Sequence, residues 1–412
     1  MKVLSVITKF PNYIRDFNRR HPQIKSRSYA DQYNALLDDS FGSFEAWSEG
    51  LSRMGYQTER IYVTLPELQK QWAKEQGVSF DESNWIEIIC EAQIKKYKPD
   101  ILIISKQNTF SPGFVQNLRK EVATLRLAIA WCCSPHKDTE LFKEYDFILS
   151  CSPEMVADFN AKGHCCYYLK HSFDPRILGR IDVTRKASID FSFVGSILLI
   201  PGHHLGREAL LSELIKTTNL QVWSPINRLS PKQHIKTSLI RFTHKLSHLC
   251  NRSNLINNWV LRASWFNRFS LDEETVFFPR NVHRSITRRV HSPVFGIPMY
   301  QKLRDSKVTL NTHGDIASGN AANIRLFEAT GVGTCLLTDW KENLGNLFAL
   351  NMEVVSYRNP SECKEQIQFL LTHETERRNI AEAGQRRTLR EHTIYHRAET
   401  LDEIIRNHLR QL

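Results

Sequence analysis

Short, nearly continuous apolar runs alternate with amphipathic stretches along most of the chain, and the alternation predicts strands and helices in turn. Residues 2–7 read as a first strand, 44–54 as a helix and 60–64 as a second strand. Residues 86–96 form an amphipathic helix that stops ahead of Pro99; 100–105, 127–132, 146–151 and 165–169 read as further buried strands. Strands that do not alternate apolar with polar are covered on both faces, which implies a parallel sheet flanked by helices. The first half is therefore α/β and Rossmann-like. Residues 173–186 contain Pro175 and several charges without periodicity, and are the expected linker. A second α/β series follows: strand 189–194 with Gly195-Ser196 after it, helix 207–216 and strand 221–224. From about 225 to 290 the pattern blurs into a basic, His- and Asn-rich stretch, expected to be an insertion. It resumes with strand 307–312, helix 320–330 and strands 334–338 and 352–356, then helices 361–372, 375–390 and 398–409.

The pattern predicts two Rossmann-like domains, 1–175 and 187–395, facing across a cleft, and a C-terminal helix over 396–412. The length of 412 residues fits two cores. No apolar run approaches the roughly 20 residues of a membrane span. The first apolar run is too short for a signal peptide, so a cytoplasmic location is expected. The nine cysteines include no C-x-x-C pair. Adjacent residues of a strand point to opposite faces, so neither Cys132-Cys133 nor Cys165-Cys166 can share a tetrahedral metal. Reduced core thiols and no metal site are expected, and the odd count speaks against a secreted disulfide framework. A net charge of +11 favours anionic partners: phosphorylated ligands, acidic lipid or nucleic acid.

Chemistry concentrates between residues 310 and 339. Leu310-Asn311-Thr312-His313-Gly314-Asp315 ends a strand. Asn320, a candidate N-cap, opens a helix carrying Asn323, Arg325 and Glu328; Gly331 or Gly333 stops it, and the next strand ends at Asp339. A helix start after a polar loop offers free N–H groups to an anion such as a diphosphate. Arg325 adds a planar cation suited to phosphate, and Glu328 can accept both hydroxyls of a ribose. A surface i,i+3 ion pair is the plainer reading of these two.

These residues resemble the C-terminal domain of GT-B glycosyltransferases, and most of all the CgeB-like group. The similarity rests on Asn311-Thr312-His313, Asn323-Ile324-Arg325-Leu326-Phe327-Glu328, Gly331-Val332-Gly333 and Thr338-Asp339. It extends to Val294–Tyr300, to Phe193-Val194-Gly195-Ser196, to the C-terminal helices with Glu391-His392-Thr393, and to Asp38-Asp39-Ser40-Phe41-Gly42. The resemblance implies transfer of a sugar from a UDP- or GDP-sugar to a glycan, lipid-linked or protein acceptor. Residues 187–395 would hold the donor and 1–175 the acceptor. It implies Glu328 at the donor ribose and His313 in donor contact. Retaining relatives carry two glutamates eight positions apart; Glu328 matches the second, but Asn320 stands at the first.

Gly195 and Ser196, after a buried strand, would allow close approach of a phosphate. Arg207 could reach the diphosphate, and Asp339 and Asn343 could shape the nucleotide pocket. His136, just past a first-domain strand, is one candidate base and Asp39 another. No Asp-x-Asp follows a suitable strand, so helix N-terminus and basic side chains, without a metal, are expected to stabilise the leaving diphosphate. No bound cofactor is expected. The absence of G-x-x-x-x-G-K-[ST], and of G-x-G-x-x-G after the first strand, counts against P-loop and dinucleotide enzymes. The basic stretch could rest on anionic membrane at the inner face. Two other readings are a nucleotide-sugar epimerase of the same architecture and a nucleic-acid-binding protein. The second predicts steep salt dependence.

Overall fold

The computed structural model describes residues 1–40, 42–134, 139–199, 203–226, 280–315 and 319–411, together with 230, 232, 235, 237 and 238. Most of the basic insertion, and His136, lie outside the described residues.

The N-terminal half runs β1 (Lys2–Ile7), α1 (Pro11–Arg20), α2 (Tyr29–Asp39), α3 (Ser43–Arg53), β2 (Gln57–Tyr62), α4 (Pro66–Gln76), α5 (Trp85–Tyr97), β3 (Ile101–Ile104), α6 (Phe114–Glu121), β4 (Leu127–Trp131), β5 (Phe147–Ser150), α7 (Pro153–Ala161) and β6 (Cys166–Tyr168). The C-terminal half runs β7 (Ile189–Val194), α8 (Leu205–Thr217), β8 (Gln221–Trp223), β9 (Val290–His291), α9 (Gly296–Arg304), β10 (Ser306–Asn311), α10 (Arg325–Gly331), β11 (Cys335–Asp339), β12 (Val355–Tyr357), α11 (Pro360–Thr372), α12 (Glu374–Glu391) and α13 (Ile394–Leu409). Each half is one parallel six-stranded sheet, ordered β2-β1-β3-β4-β5-β6 and β12-β11-β10-β7-β8-β9. The two-domain α/β expectation is met, and the architecture is GT-B. In such sheets ligands sit beyond the strand ends where the order reverses. In the second sheet that point lies between β7 and β10, which pair directly.

The apolar runs became strands because both of their faces are covered: Ile101, Leu102, Ile103 and Ile104 are all buried. Helices α1, α2, α4, α6, α7 and α9 were not anticipated. Three of them begin with Pro in the first turn, a position where its missing N–H costs nothing. The helix expected over 320–330 forms only from Arg325, with Ile324 rather than Asn320 at its N-cap.

The last helix returns to the first domain. Ala398, Leu401 and Ile405 join the core that holds Val3, Trp47 and Phe147. Tyr56 Oη donates to Asp402 at 2.5 Å. A Cβ on Gly50 of α3 would stand 2.5 Å from that of Ala398, so the helices cross where a side chain is missing. The expected linker is tied to the turn between α12 and α13: Phe173 N–H donates to His392 O, and Ile394 N–H to Phe173 O.

His392, buried at this turn, bonds the Leu347 carbonyl through Nε2 and Arg397 Nη2 through Nδ1, each at 3.0 Å. That geometry suits a neutral ring donating at Nε2 and accepting at Nδ1. Burial pushes its pKa down; the Leu347 carbonyl pulls the other way, and Arg397 lowers it further, to about 4. The unfolded ring titrates near 6.5. A group depressed on folding contributes stability that is complete above about pH 6.5 and lost as pH falls toward 4. The loss attributable to His392 is expected to approach about 3 kcal/mol. Urea unfolding at pH 7 and pH 4.5 checks it: His392→Gln should shrink the difference between the two, and an unchanged difference would contradict the assignment.

Candidate functional site

The loops leaving β7 and β10 face each other at the switch point, and Arg207 in the first turn of α8 joins them. Its Nη1 donates to Ser196 O at 2.7 Å and its Nη2 to Thr312 O at 2.6 Å. His204 Nε2 is 2.9 Å from the same Nη1. Burial pushes the Arg207 pKa down to about 10 against the pull of Asp339. Arg207 thus spends both Nη groups on loop carbonyls, and only its buried Nε is left without a hydrogen-bond partner among the described residues. Beside it, Gly195 packs so closely that a Cβ would lie 3.0 Å from Phe193 Cζ. Replacing Arg207 with methionine keeps bulk but leaves two loop carbonyls unpartnered. We expect a stability loss of about 2–4 kcal/mol, read as a lower urea midpoint with unchanged slope.

After β10, His313 is buried with Nδ1 2.7 Å from Asp339 Oδ1, and its backbone N–H donates to the same oxygen at 3.0 Å. Burial raises the Asp339 carboxyl, but the His313 contacts outweigh this and hold it below the usual range. The other ring nitrogen, Nε2, has no hydrogen-bond partner among the described residues. Asn323 Nδ2 donates to Asn311 Oδ1 at 3.1 Å and to Thr312 O at 3.3 Å. Asn343 pins the preceding loop, accepting from Ala321 N–H at 2.6 Å and donating to Ala321 O at 3.2 Å. Asn323 and Asn343 therefore hold backbone, whatever else they touch.

Arg325 opens α10 and Glu328 follows one turn later, with Nη1 and Oε2 2.7 Å apart. The pair is not at the surface: the side chains are 15% and 3% exposed. Tyr300 Oη donates to Glu328 Oε1 at 3.3 Å, whereas the Arg325 contact leaves Oε2 without a formed hydrogen bond. The amides of Leu326, Phe327 and Glu328 are spent on the Asn323 and Ile324 carbonyls. The anion cradle expected at this helix start is therefore not formed. At the start of α8, Asp315 takes the N–H groups of Leu205 and Gly206, at 2.7 and 3.2 Å. The chain fills that anion site with its own carboxylate.

Several residues here escaped sequence reasoning. Glu154, at the start of α7 in the first domain, accepts from Gly319 N–H at 3.2 Å and from Ser152 Oγ at 2.7 Å. Burial raises its pKa, and hydrogen bonds from Asn320 and Ser152 bring it below the usual range. A carboxylate thus stands beside Asn320 although the chain lacks glutamate there. Lys9, just past β1, is buried beside the Tyr13 and Tyr62 rings. Burial drives its pKa down to about 7 against Asp39. A lone lysine after a strand gave no signal of this. Asp39 has both oxygens bound by Arg20, at 2.7 and 2.9 Å, and abuts Gly296 of the second domain. It forms part of the seam between domains, which leaves it little freedom as a base toward an acceptor.

Residues 267–403, about a third of the chain, match the family model described as glycosyl transferase-like. No curated protein matches the chain in sequence. Among solved structures, a glycosyltransferase from Rickettsia africae is 10% identical at a TM-score of 0.53, covering 99% of this chain and 98% of its own. Sucrose-phosphate synthase from Thermosynechococcus elongatus is 9% identical at 0.55, covering all of both chains. Anabaena HepE, in complex with UDP and glucose, is 11% identical at 0.52, covering 99% and 100%. The whole chain thus shares the GT-B fold with these structures, and its residues 267–403 resemble the glycosyl transferase-like family.

Proposed function

On a chain with the GT-B fold and a glycosyl transferase-like C-terminal part, we propose that the second domain binds a nucleotide-sugar and the first domain its acceptor. One observation carries this. Two buried polar atoms at the switch point, Arg207 Nε and His313 Nε2, have no hydrogen-bond partner among the described residues, and Glu328 Oε2 is met only by the Arg325 ion pair. Each such atom costs about 1–3 kcal/mol, and a fold keeps them together only where something else satisfies them. Arg207 Nε is a donor, Glu328 Oε2 an acceptor, and His313 Nε2 can serve as either according to its protonation. A nucleotide-sugar presents phosphate oxygens to the first and hydroxyls to the others. Buried ion pairs contribute little to stability by themselves, so the buried Arg325–Glu328 pair also fits a ligand role better than a structural one.

In this reading Glu328 takes the ribose hydroxyls, and Arg325 meets the developing charge on the diphosphate. Asp315 gives up the start of α8 as phosphate arrives. Gly195 and Ser196 line the approach, and closure of the domains excludes water. The nucleotide seen with HepE makes UDP the first to try, and GDP the second. The acceptor is a hydroxyl of a glycan, a lipid-linked glycan or a protein. NMR of nucleotide-sugars incubated with the protein tests the reaction class. Slow release of free sugar and nucleoside diphosphate is expected when no acceptor is added. A changed sugar configuration within an intact nucleotide-sugar would instead make the protein an epimerase.

A further inference from the structure

The ends of β4 and β5 bring together two cysteines that lie far apart in sequence. The strands pair in parallel, with Ile129 opposite Phe147 and Trp131 opposite Leu149. The same offset, carried two residues further, sets Cys133 opposite Cys151. Ile129, Trp131, Phe147, Leu149 and Cys151 share one core cluster, and Cys133 packs against it. Cys132 belongs to the cluster on the other face. The two sulfurs are 2.7 Å apart, and Cys151 N–H reaches Cys133 Sγ at 3.2 Å. His171, shortly after β6, completes a group whose three donor atoms all lie within 4.8 Å of one another.

We propose that Cys133, Cys151 and His171 form a binding site for a thiophilic divalent cation, with Zn²⁺ as the reference ion. Two thiolates and an imidazole are donors zinc prefers, at about 2.3 and 2.0–2.1 Å. Two thiolates on a tetrahedral zinc stand about 3.8 Å apart. The sulfurs must therefore separate by about 1 Å, within the range of small side-chain rotations. Two thiolates neutralise the ion, so the loaded site carries no net charge into a covered position. The neutral ring is the ligating form, and the cation supplies the charge that makes thiolates tenable. The amide on Cys133 Sγ is the kind of outer bond that steadies a ligating thiolate. All three donors leave neighbouring strands of one sheet, so the ion would clamp that edge of the first domain, with a fourth position for water. The site shares no residue with the proposed donor site and stands or falls separately.

Titration of reduced, chelator-stripped protein with Zn²⁺ against a chromophoric chelator, and with Co²⁺ by absorption, tests this. One ion per chain is expected, with a thiolate-to-cobalt charge-transfer band. Cys133→Ser should abolish the band, and His171→Gln should weaken binding about tenfold or more. Cys165→Ser should change neither, although exposed Cys165 lies 3.8 Å from His408 Nε2. A wild type without the band, or a band that survives Cys133→Ser, overturns the proposal.

Discussion

Glu328→Ala is expected to lower kcat/KM for the donor by about 100- to 10,000-fold. Two hydrogen bonds from ribose hydroxyls to a carboxylate are lost, each worth about 1.5–3 kcal/mol. The reduction exceeds that of an ordinary surface change because the carboxylate is buried and Oε2 keeps its accepting capacity. Alanine also strands Arg325, so part of the loss would appear as instability; breaking a buried pair costs about 3–5 kcal/mol. Glu328→Gln separates the two effects, since it keeps the shape and one acceptor. A double Arg325→Gln, Glu328→Gln variant decides between roles. If the pair is only structural, the double variant should recover activity along with stability. In the account given above, stability recovers and turnover does not.

Gly296→Ala is expected to cost about 3 kcal/mol or more, the largest loss among single glycine changes that leave the donor site intact. Gly296 has φ +57°, where an alanine costs about 1–2 kcal/mol. Its Cβ would also run into the Asp39 carbonyl and stand 2.6 Å from Asp39 Oδ1. Asp39 cannot give way, because Arg20 holds both its oxygens and Arg180 bonds the neighbouring Ser40 Oγ at 2.6 Å. The strain falls on the seam between the domains, so catalytic closure should suffer along with the urea midpoint. Gly113→Ala is the control: φ is +86° but nothing lies within 4 Å, so only the backbone strain remains. Equal losses for the two would show that the seam is softer than its contacts imply.

The apolar strands were legible in the sequence because burial on both faces leaves a continuous run; 2–7 and 189–194 coincide with β1 and β7 to the residue. Helices α1, α2, α4, α6, α7 and α9 each span only 8–11 residues, so even an amphipathic one offers few repeats of the helical period to read. Arg325 and Glu328 were legible as a pair, but their burial was not, since an i,i+3 spacing reads the same inside and outside. Asn320 misled because the cap preference is local, while the loop before α10 is held by distant Asn343. Glu154 and Asp315 act across gaps of more than 100 residues, onto Gly319 and Leu205 respectively. Cys132 and Cys133 pack on opposite faces, whereas Cys133 meets Cys151 only through the register of β4 against β5, which the residue pattern does not carry.

Calorimetric titration of UDP and GDP into the wild type and Glu328→Gln tests the central claim most directly, with unfolding curves recorded to show that both proteins are folded. The account predicts that one of the two nucleotides binds the wild type, and that the folded variant binds it at least tenfold more weakly. Equal binding by both proteins, or no binding by either, would contradict the assignment of the donor site.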